Sequence, residues 1–171
     1  MKKRSARKAS HSRPELTYFT DRDLGKRFPE RLRSAGILVV AYHDPGAFPG
    51  DPEVSDDEWI RFACRRGYVG LTHDAAIRRD ETLSQVFDPT HQPPGALFIL
   101  RGGLSTDRLA DMFLTVHRRV EAKVARSRRR GEPFIAVIRR VVVRGGREEV
   151  EVREWADRQS WEERQRRRRR G

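Results

Sequence analysis

The chain has 171 residues, one cysteine and a net charge of +12. Its length suits a single domain with tails, its one cysteine excludes a disulfide framework, and its apolar runs are too short to cross a bilayer. No apolar stretch follows the basic start, as a secretory signal would require. We therefore expect a cytoplasmic protein that does not enter a membrane.

The first part of the chain alternates predicted strands with predicted helices. Residues 1–14 have the composition of a disordered arm, and residues 15–20 are rich in the β-branched and aromatic types that favour a strand. A helix is predicted at 24–35, and the apolar run at 37–42 is typical of a strand that is buried on both faces.

The next segments repeat this alternation. A helix with a serine N-cap is predicted at 55–67, a strand follows at 68–73, and a short helix is predicted at 77–87. The strand at 96–100 then leads to a long helix that begins after Ser105, with an apolar stripe at helical spacing.

The last part of the chain predicts a β-hairpin and a charged end. Its two strands lie at 134–143 and 148–155 and are joined by a Gly-Gly turn. The chain is therefore divided into a disordered arm at 1–14, a main domain at 15–128, a hairpin extension packed on it at 129–155, and an arginine-rich helix or tail at 156–171.

Both ends of the chain are strongly basic. Residues 1–13 carry six Lys or Arg and no acidic residue, and residues 126–171 carry 16 Arg against eight Asp or Glu. The middle of the chain is therefore slightly acidic. Arginine-rich ends attract polyanions such as nucleic acids, and the alternative is that they only keep the protein soluble.

Acidic residues stand where two predicted strands end. The alternation predicts an α/β fold with right-handed crossovers and a mainly parallel sheet, to which the hairpin adds antiparallel edge strands. Functional groups of such sheets gather beyond the carboxyl ends of the strands. Asp21 and Asp74 directly follow strands, and Asp57 lies in the first turn of a helix. We expect these three carboxylates to converge.

A carboxylate cluster needs a compensating charge, because like charges raise one another's pKa. Divalent cations supply that charge, and oxygen ligands favour Mg²⁺ or Mn²⁺. A metal held in this way activates water and stabilises the charge that develops at a phosphate during hydrolysis. The acids therefore predict phosphodiester hydrolysis at a metal site formed by Asp21, Asp57 and Asp74.

Asp23, Glu58 and Asp44 are further candidate metal ligands, each with a structural alternative. Asp23 fits the N-cap of the first helix, as does Asp21, and Asp57 suits the dipole of the second helix. Glu58 completes a capping box, so a metal contact and a purely structural role are equally open. Asp44 fits a turn as well as it fits a fourth ligand position.

Histidines and arginines near the acids are also candidates for the site. His43 lies in a nearby loop, whereas strand alternation is expected to point His73 away from Asp74. Arginines are expected to bind the phosphate backbone of a nucleic acid. The candidates are Arg22, Arg78, Arg79, Arg128, Arg129 and Arg130.

Two segments resemble the PIN-like superfamily, particularly the toxin nucleases of bacterial toxin–antitoxin pairs. They are YFTDRDLG, in which a strand ends in Asp21, and SDDEWIRFACRRGYVGLTHDAAIRR, in which an acidic helix start is followed by a glycine, a strand and Thr-x-Asp. The resemblance covers about residues 15–102. It implies a three-layer α/β/α fold with a PIN-like nuclease domain at 15–128, and metal binding by Asp21, Asp57 and Asp74.

Two positions depart from the family's pattern. The usual Glu in the helix after the first strand has no clear counterpart, although Glu30 lies in that helix. The usual D-x-D-F after the last acidic strand is Asp-Ala-Ala-Ile here. These departures indicate a site that binds one metal ion rather than two, or that binds metal weakly.

The resemblance also implies what the protein acts on. It implies a ribonuclease that depends on Mg²⁺ or Mn²⁺ and prefers RNA to DNA. It further implies a toxin whose partner is a small antitoxin protein, and a homodimer is an additional option. The alternative is a basic nucleic-acid-binding module that keeps the fold without the chemistry.

Overall fold

Strands and helices alternate along the described part of the chain, as the apolar runs indicate. The structure is a computed structural model that describes residues 15–48, 54–74, 77, 81–168 and 170. Within these residues the strands are β1 (Thr17–Thr20), β2 (Leu38–Ala41), β3 (Val69–Thr72), β4 (Ala96–Arg101), β5 (Phe134–Val142) and β6 (Glu148–Asp157). The helices are α1 (Arg27–Ser34), α2 (Asp56–Arg65), α3 (Thr106–Arg130) and α4 (Arg158–Arg168), with 3₁₀ helices at Arg22–Leu24 and Glu81–Phe87.

The six strands of the described residues form one sheet in the order β2-β1-β3-β4-β5-β6. Strands β1 to β5 are parallel, and β6 is antiparallel to β5. The prediction of a mainly parallel sheet is confirmed. The hairpin adds one antiparallel edge strand rather than two, because α3 carries the chain back along the sheet before β5 begins.

Helices cover both faces of this sheet. On one face, Phe28 of α1 and Phe113 of α3 pack in a core with Tyr18 of β1. On the other face, Trp59 of α2 and Trp161 of α4 lie in a second core that includes the α2-facing residues of the strands. The inner strands β1, β3 and β4 are apolar because they are buried on both faces of the sheet. The prediction of a strand buried on both faces at 37–42 is wrong, because β2 is an edge strand in which Leu38 is 44% exposed. The three-layer α/β/α fold is confirmed.

One crossover has the opposite hand to the others. α1 and α3 lie on the same face, yet β1–α1–β2 steps toward one edge of the sheet and β4–α3–β5 steps toward the other. The chain then passes from β2 to β3 through α2, in the opposite direction along the sheet and on the opposite face. This crossover therefore has the same hand as the first. Right-handed crossovers predominate in proteins. The prediction of a uniform hand is therefore wrong at α3, which Phe113 holds against Phe28 of α1.

Two helices differ from their predicted bounds. The helix predicted from residue 24 begins at Arg27, because Gly25 has a φ of +61° and separates it from the 3₁₀ turn before it. The helix predicted at 77–87 is a 3₁₀ helix at Glu81–Phe87. The predicted arm at 1–14 lies outside the described residues. Among the helices described, none is both long and apolar enough for a membrane span.

Candidate active site

The carboxyl ends of β1, β3 and β4 meet at one edge of the sheet, beside a cavity of about 610 Å³. Asp21 leaves β1 at this edge, and its backbone N–H donates to the carbonyl oxygen of Leu71 in β3 at 3.0 Å. The topology thus brings Asp21 and Asp74 to the same edge. The cavity is lined by Asp23, His73, Asp74, Arg101, Gly102 and Gly103.

The hydroxyl of Thr72 links three acidic residues at this edge. Its Oγ1 lies 2.9 Å from Asp21 Oδ2 and 3.3 Å from Asp23 Oδ2, and it accepts from the backbone N–H of Asp74 at 3.1 Å. One hydroxyl hydrogen cannot serve both carboxylates fully, so Asp21 and Asp23 compete for it. Thr72 is fully buried at the end of β3, so the sheet fixes its position.

The carboxyl group of Asp21 is hard to ionise. Asp21 is only 6% exposed, and burial, together with the charge of Asp23, raises its pKa to about 7. The hydroxyl of Thr72 and the backbone N–H of Arg22, which donates at 2.5 Å, oppose this shift. Desolvation also raises the pKa of Asp23, although the residue is exposed overall, and the backbone N–H of His73, which donates to it at 2.8 Å, opposes this shift.

Asp56, in the first turn of α2, adds a negative charge that acts on this cluster. The Asp56 carboxylate contributes to the raised pKa of Asp21, and it accepts from Trp59 Nε1 at 3.1 Å, which fixes its orientation. Asp57, the predicted ligand, lies 3.1 Å from Arg61 Nη2 in an ion pair along the helix. Successive residues of a helix point about 100° apart, so the side chains of Asp56 and Asp57 have different surroundings.

Two other candidate ligands have structural partners. Glu58 Oε2 accepts from the backbone N–H of Ser55 at 2.9 Å, in the predicted capping box. Asp44 accepts from the backbone N–H of Ala41 at 2.8 Å and forms an ion pair with Arg33. These carboxylates stabilise the start of α2 and the turn after β2.

His73 lines the cavity together with Asp74, contrary to the expected alternation. The strand ends at Thr72, so the geometry that points successive side chains to opposite faces no longer applies. Nδ1 of His73 lies 3.0 Å from the carbonyl oxygen of Leu100. A carbonyl oxygen can only accept, so Nδ1 carries the hydrogen of this bond.

Of the predicted nucleic-acid-binding arginines, Arg22 lies beside the acidic edge. Its guanidinium carbon is 5.6 Å from the ring centroid of Tyr42, which His43 also contacts edge-on. Arg78 and Arg79 lie outside the described residues.

The arginines at the end of α3 lie at the opposite edge of the sheet. α3 begins near the carboxyl end of β4, and its 25 residues span about 37 Å. Arg128 therefore reaches the start of β3, where it donates to the carbonyl oxygen of Gly67 at 2.6 Å, and burial lowers its pKa. Arg129 and Arg130 follow it in the last turn. This group is thus separated from the acidic cavity by the length of the sheet.

A family model described as "PIN like domain" matches residues 16–88. Residues 16–88 are therefore similar to a PIN-like domain, and the name PIN-like domain refers to these residues. The match runs from the residue before β1 to the residue after the second 3₁₀ helix, and it contains all the candidate ligands named above. β4, α3, the β5–β6 hairpin and α4 lie outside the match.

The chain is also similar to a curated protein of Mycobacterium tuberculosis (strain ATCC 25618 / H37Rv) named "Putative ribonuclease VapC45". The two are 35% identical over 63 residues, which make up 36% of this chain and 46% of that protein. The chain thus spans about half the length of the curated relative. No solved structure matches the chain significantly.

Three side chains near the acidic cavity were not among the predicted site residues. Thr72 holds the acids together, Asp56 acts on Asp21, and Arg101 lines the cavity. The rule that placed Asp21 and Asp74 at strand ends applies equally to Arg101, the last residue of β4. That signal was present in the sequence.

The donors of the PIN-like domain fit a hard divalent cation that takes few ligands from the protein. In the part of the chain that the structure describes, no group of three or more His, Cys, Asp or Glu side chains is arranged to hold a metal ion. Asp21 and Asp23 nevertheless present oxygens around one hydroxyl. Mg²⁺ is commonly bound through one or two carboxylates, with water and substrate phosphates completing its shell. The carboxylate pair fits that arrangement.

Proposed function

We propose that this protein is a nuclease that hydrolyses phosphodiester bonds with the help of Mg²⁺ or Mn²⁺, and that it prefers RNA to DNA. The observation that carries the proposal is the pair of carboxylates, Asp21 and Asp23, around the hydroxyl of Thr72 in a PIN-like domain. Such a pair is unfavourable when both groups are ionised, and a cation relieves it. The ribonuclease name of the mycobacterial relative supports RNA as the substrate.

Asp21 and Asp23 hold the cation in this proposal. Thr72 fixes their spacing, because its hydroxyl lies within hydrogen-bond reach of both. Asp56 and Asp74 add negative charge that favours a divalent ion over a monovalent one. The bound cation supplies neutralisation of phosphate charge and a lowered pKa for water.

His73 and Arg101 act on the substrate in the same cavity. Nδ1 of His73 donates to Leu100, so Nε2 of the neutral imidazole is an acceptor. Nε2 is therefore suited to take a proton from the attacking water. Arg101 is suited to hold a phosphate oxygen, since a guanidinium binds phosphate through charge-assisted hydrogen bonds.

Cleavage of labelled single-stranded RNA and DNA tests the proposal. Wild-type protein is compared with Asp21→Asn and Asp74→Asn in EDTA, Mg²⁺ and Mn²⁺. We expect cleavage only with a divalent cation, and a loss of about 100-fold or more in Asp21→Asn, because an amide does not neutralise a cation. Asp111→Asn is the control, since this exposed acid of α3 pairs with Arg31 of α1 and does not line the cavity.

The outcomes separate two candidate functions. Cleavage that survives in EDTA, or that is equal in Asp21→Asn and the wild type, would refute the proposal. Binding without cleavage under every condition would support a non-catalytic nucleic-acid-binding module. The lack of a three-ligand metal group among the described residues is the observation that favours this second function.

We also propose that the protein acts in the cytoplasm as the toxin of a toxin–antitoxin pair, alone or as a homodimer, with a small antitoxin as its partner. The PIN-like domain and the relative's name support this role. Expression of the wild type should then arrest bacterial growth, whereas expression of Asp21→Asn should not. Equal growth at equal protein levels would refute the toxin role.

A further inference from the structure

A groove of about 270 Å³ crosses the sheet face that carries α4, and its arginines lie outside the PIN-like domain. The groove contains one acidic residue, Glu154, which forms an ion pair with Lys123. Its other lining residues are Arg101 of β4, Val137 and Arg139 of β5, Arg153 and Trp155 of β6, and Arg164 of α4.

Strand register places three of these arginines side by side. Arg101 is paired with Arg139 across β4 and β5, and Arg153 is paired with Val137, two residues before Arg139. Residues two apart in a strand share a face, and neighbouring strands lie about 4.8 Å apart. The three guanidinium groups therefore arise from a patch roughly 10 Å across on one face of the sheet.

Little negative charge offsets this patch. Arg139 Nε lies 2.9 Å from Glu151 Oε2. Arg101 and Arg153 form no ion pair with any acidic residue in the described part of the chain. A group of cations that outnumbers its acidic partners attracts an anionic ligand.

Arg164 and Trp155 add a flat surface at the end of the groove. The guanidinium carbon of Arg164 lies 4.4 Å from the ring centroid of Trp155, and Arg164 Nη2 donates to the Trp155 carbonyl oxygen at 3.0 Å. Unpaired bases stack on aromatic rings and on guanidinium planes with little sequence preference. Stacking of this kind is open to single strands, because a duplex keeps its bases inside.

Arg101 joins the groove to the acidic cavity, since it lines both. A phosphate that contacts Arg101 in the cavity has Arg139 as the next cation along the sheet and Arg153 beyond it. The groove and the acidic cavity therefore adjoin at Arg101.

We propose that this arginine groove binds the backbone of single-stranded nucleic acid and guides it into the cavity beside Asp23 and Asp74. The guiding role rests on the proposed nuclease function, whereas the binding itself requires no cleavage.

Binding of the full chain to labelled single-stranded RNA in EDTA tests the groove without cleavage. The groove variant combines Arg139→Gln with Arg153→Gln. The matched control combines Arg140→Gln with Arg144→Gln, which removes the same charge from the same hairpin. Each double variant contains one arginine that pairs with a glutamate across β5 and β6, on opposite faces of the sheet.

We expect the groove variant to bind RNA about tenfold more weakly or worse, and the control to stay within about threefold of the wild type. Loss of two phosphate contacts should also flatten the slope of log affinity against log salt by about 1.4, since each contact contributes about 0.7 on single strands. The control should keep the wild-type slope.

Equal weakening in the two double variants would overturn the proposal, because it would reflect net charge alone. Wild-type affinity in the groove variant would overturn it too. Groove-dependent binding of polyglutamate without binding of RNA would make the occupant an acidic polypeptide and would also overturn it. If RNA binding depends on the groove but Mg²⁺ or Mn²⁺ gives no cleavage, the nuclease function fails and the groove proposal stands.

Discussion

Asp21 and Asp23 both lie within hydrogen-bond reach of the buried hydroxyl of Thr72, and burial together with their mutual repulsion makes this edge hard to ionise. Ionising both carboxylates leaves two negative groups with a single hydroxyl hydrogen between them. A proton on Asp21 or a divalent cation near the pair relieves the same repulsion. Proton binding and cation binding at this edge should therefore compete.

The free energy of unfolding of the cation-free protein should fall between about pH 4 and pH 7 because of Asp21. The pKa of this residue is 3.8 ordinarily and about 7 in the folded protein. In this window the folded state binds more protons than the unfolded chain, so stability is lost as pH rises through the folded pKa. The full shift corresponds to no more than about 4 kcal/mol.

Chemical denaturation of the wild type and Asp21→Asn in EDTA across that range measures the effect. The difference in unfolding free energy between the two should change with pH, because the asparagine cannot titrate. Asp23→Asn should move the upper end of the window to lower pH, since the Asp23 charge is the second largest cause of the raised pKa. Parallel pH curves for the wild type and Asp21→Asn would contradict the prediction.

Asp57 was predicted as a metal ligand, whereas its neighbour Asp56 is the residue of α2 whose charge acts on Asp21 in the structure. Asp56→Asn should lower the cleavage rate more than Asp57→Asn does, because the Asp56 charge is among the causes that raise the pKa of Asp21. Asp57→Asn should lower it less than about threefold, because Asp57 pairs with Arg61. Single-turnover cleavage of RNA by the two variants, with circular dichroism to check folding, gives the comparison. A larger loss in Asp57→Asn than in Asp56→Asn would support the predicted role of Asp57 as a ligand.

Local geometry explains why only part of the site could be predicted from sequence. A residue that follows a parallel strand reaches the functional edge whatever its rotamer, so Asp21 and Asp74 were predictable. The choice between Asp56 and Asp57 depends on the rotation of α2 about its axis, which tertiary packing sets. Thr72 carried no signal of its role, because its partner Asp21 lies 51 residues away.

At the scale of elements, the apolar runs predicted the strands well and their directions less well. The sequence pattern of β5 and β6 is that of a hairpin whichever way β5 attaches to β4. Its direction is decided by α3, which is long enough to return the chain to the amino end of the sheet. Which face α3 covers is set by its packing on α1, and a periodic apolar stripe does not specify that partner.

Gly95 marks a close approach between β4 and the second 3₁₀ helix. A Cβ at this position would lie 2.3 Å from the carbonyl oxygen of Val86 and 3.1 Å from Cys64 Sγ. The Gly95 carbonyl accepts from the backbone N–H of Phe134 at 3.1 Å, so a backbone shift would disturb the β4–β5 pairing. Gly95→Ala should therefore lower the free energy of unfolding by about 2 kcal/mol or more.

Urea denaturation compares Gly95→Ala with Gly103→Ala, a position where an added Cβ meets no atom within 4 Å. The control should change the unfolding free energy by less than about 0.5 kcal/mol. A similarly small change in Gly95→Ala would show that the strand and the helix separate easily.

At the scale of the whole molecule, the two candidate functional surfaces lie in different parts of the chain, whereas the hydrophobic cores are shared between those parts. The acidic edge belongs to the PIN-like domain, and most of the arginine groove belongs to the hairpin and α4. Yet both hydrophobic cores run through the two parts, since Ile135 of β5 packs in the α2-side core and Ile138 in the α1-side core. The boundary between a main domain at 15–128 and an extension at 129–155 stays a prediction.

A chain truncated after Arg130 should not unfold cooperatively. It lacks β5, whose Ile135, Ala136 and Ile138 are fully buried. Strand β4 would therefore lose its hydrogen-bonded partner on one side, and both cores would lose buried side chains. Urea denaturation followed by circular dichroism measures the transition. A sharp transition in this chain would establish residues 15–128 as a domain that folds on its own.

A chain truncated after Asp157 is the matched comparison, because it keeps all six described strands and lacks α4. Trp161 of α4 stacks on Phe87 with ring centroids 5.2 Å apart, and it is buried in the core on that side. We expect this chain to unfold cooperatively with a free energy of unfolding lowered by about 3 kcal/mol, the scale of removing a buried tryptophan.

The chain truncated after Asp157 should keep its divalent-cation-dependent cleavage, because the acidic cavity contains no residue of α4. Its affinity for RNA should fall, since Arg164 leaves the groove together with the arginine-rich end. Cleavage lost along with α4 would mean that the acidic edge depends on the C-terminal helix for its geometry.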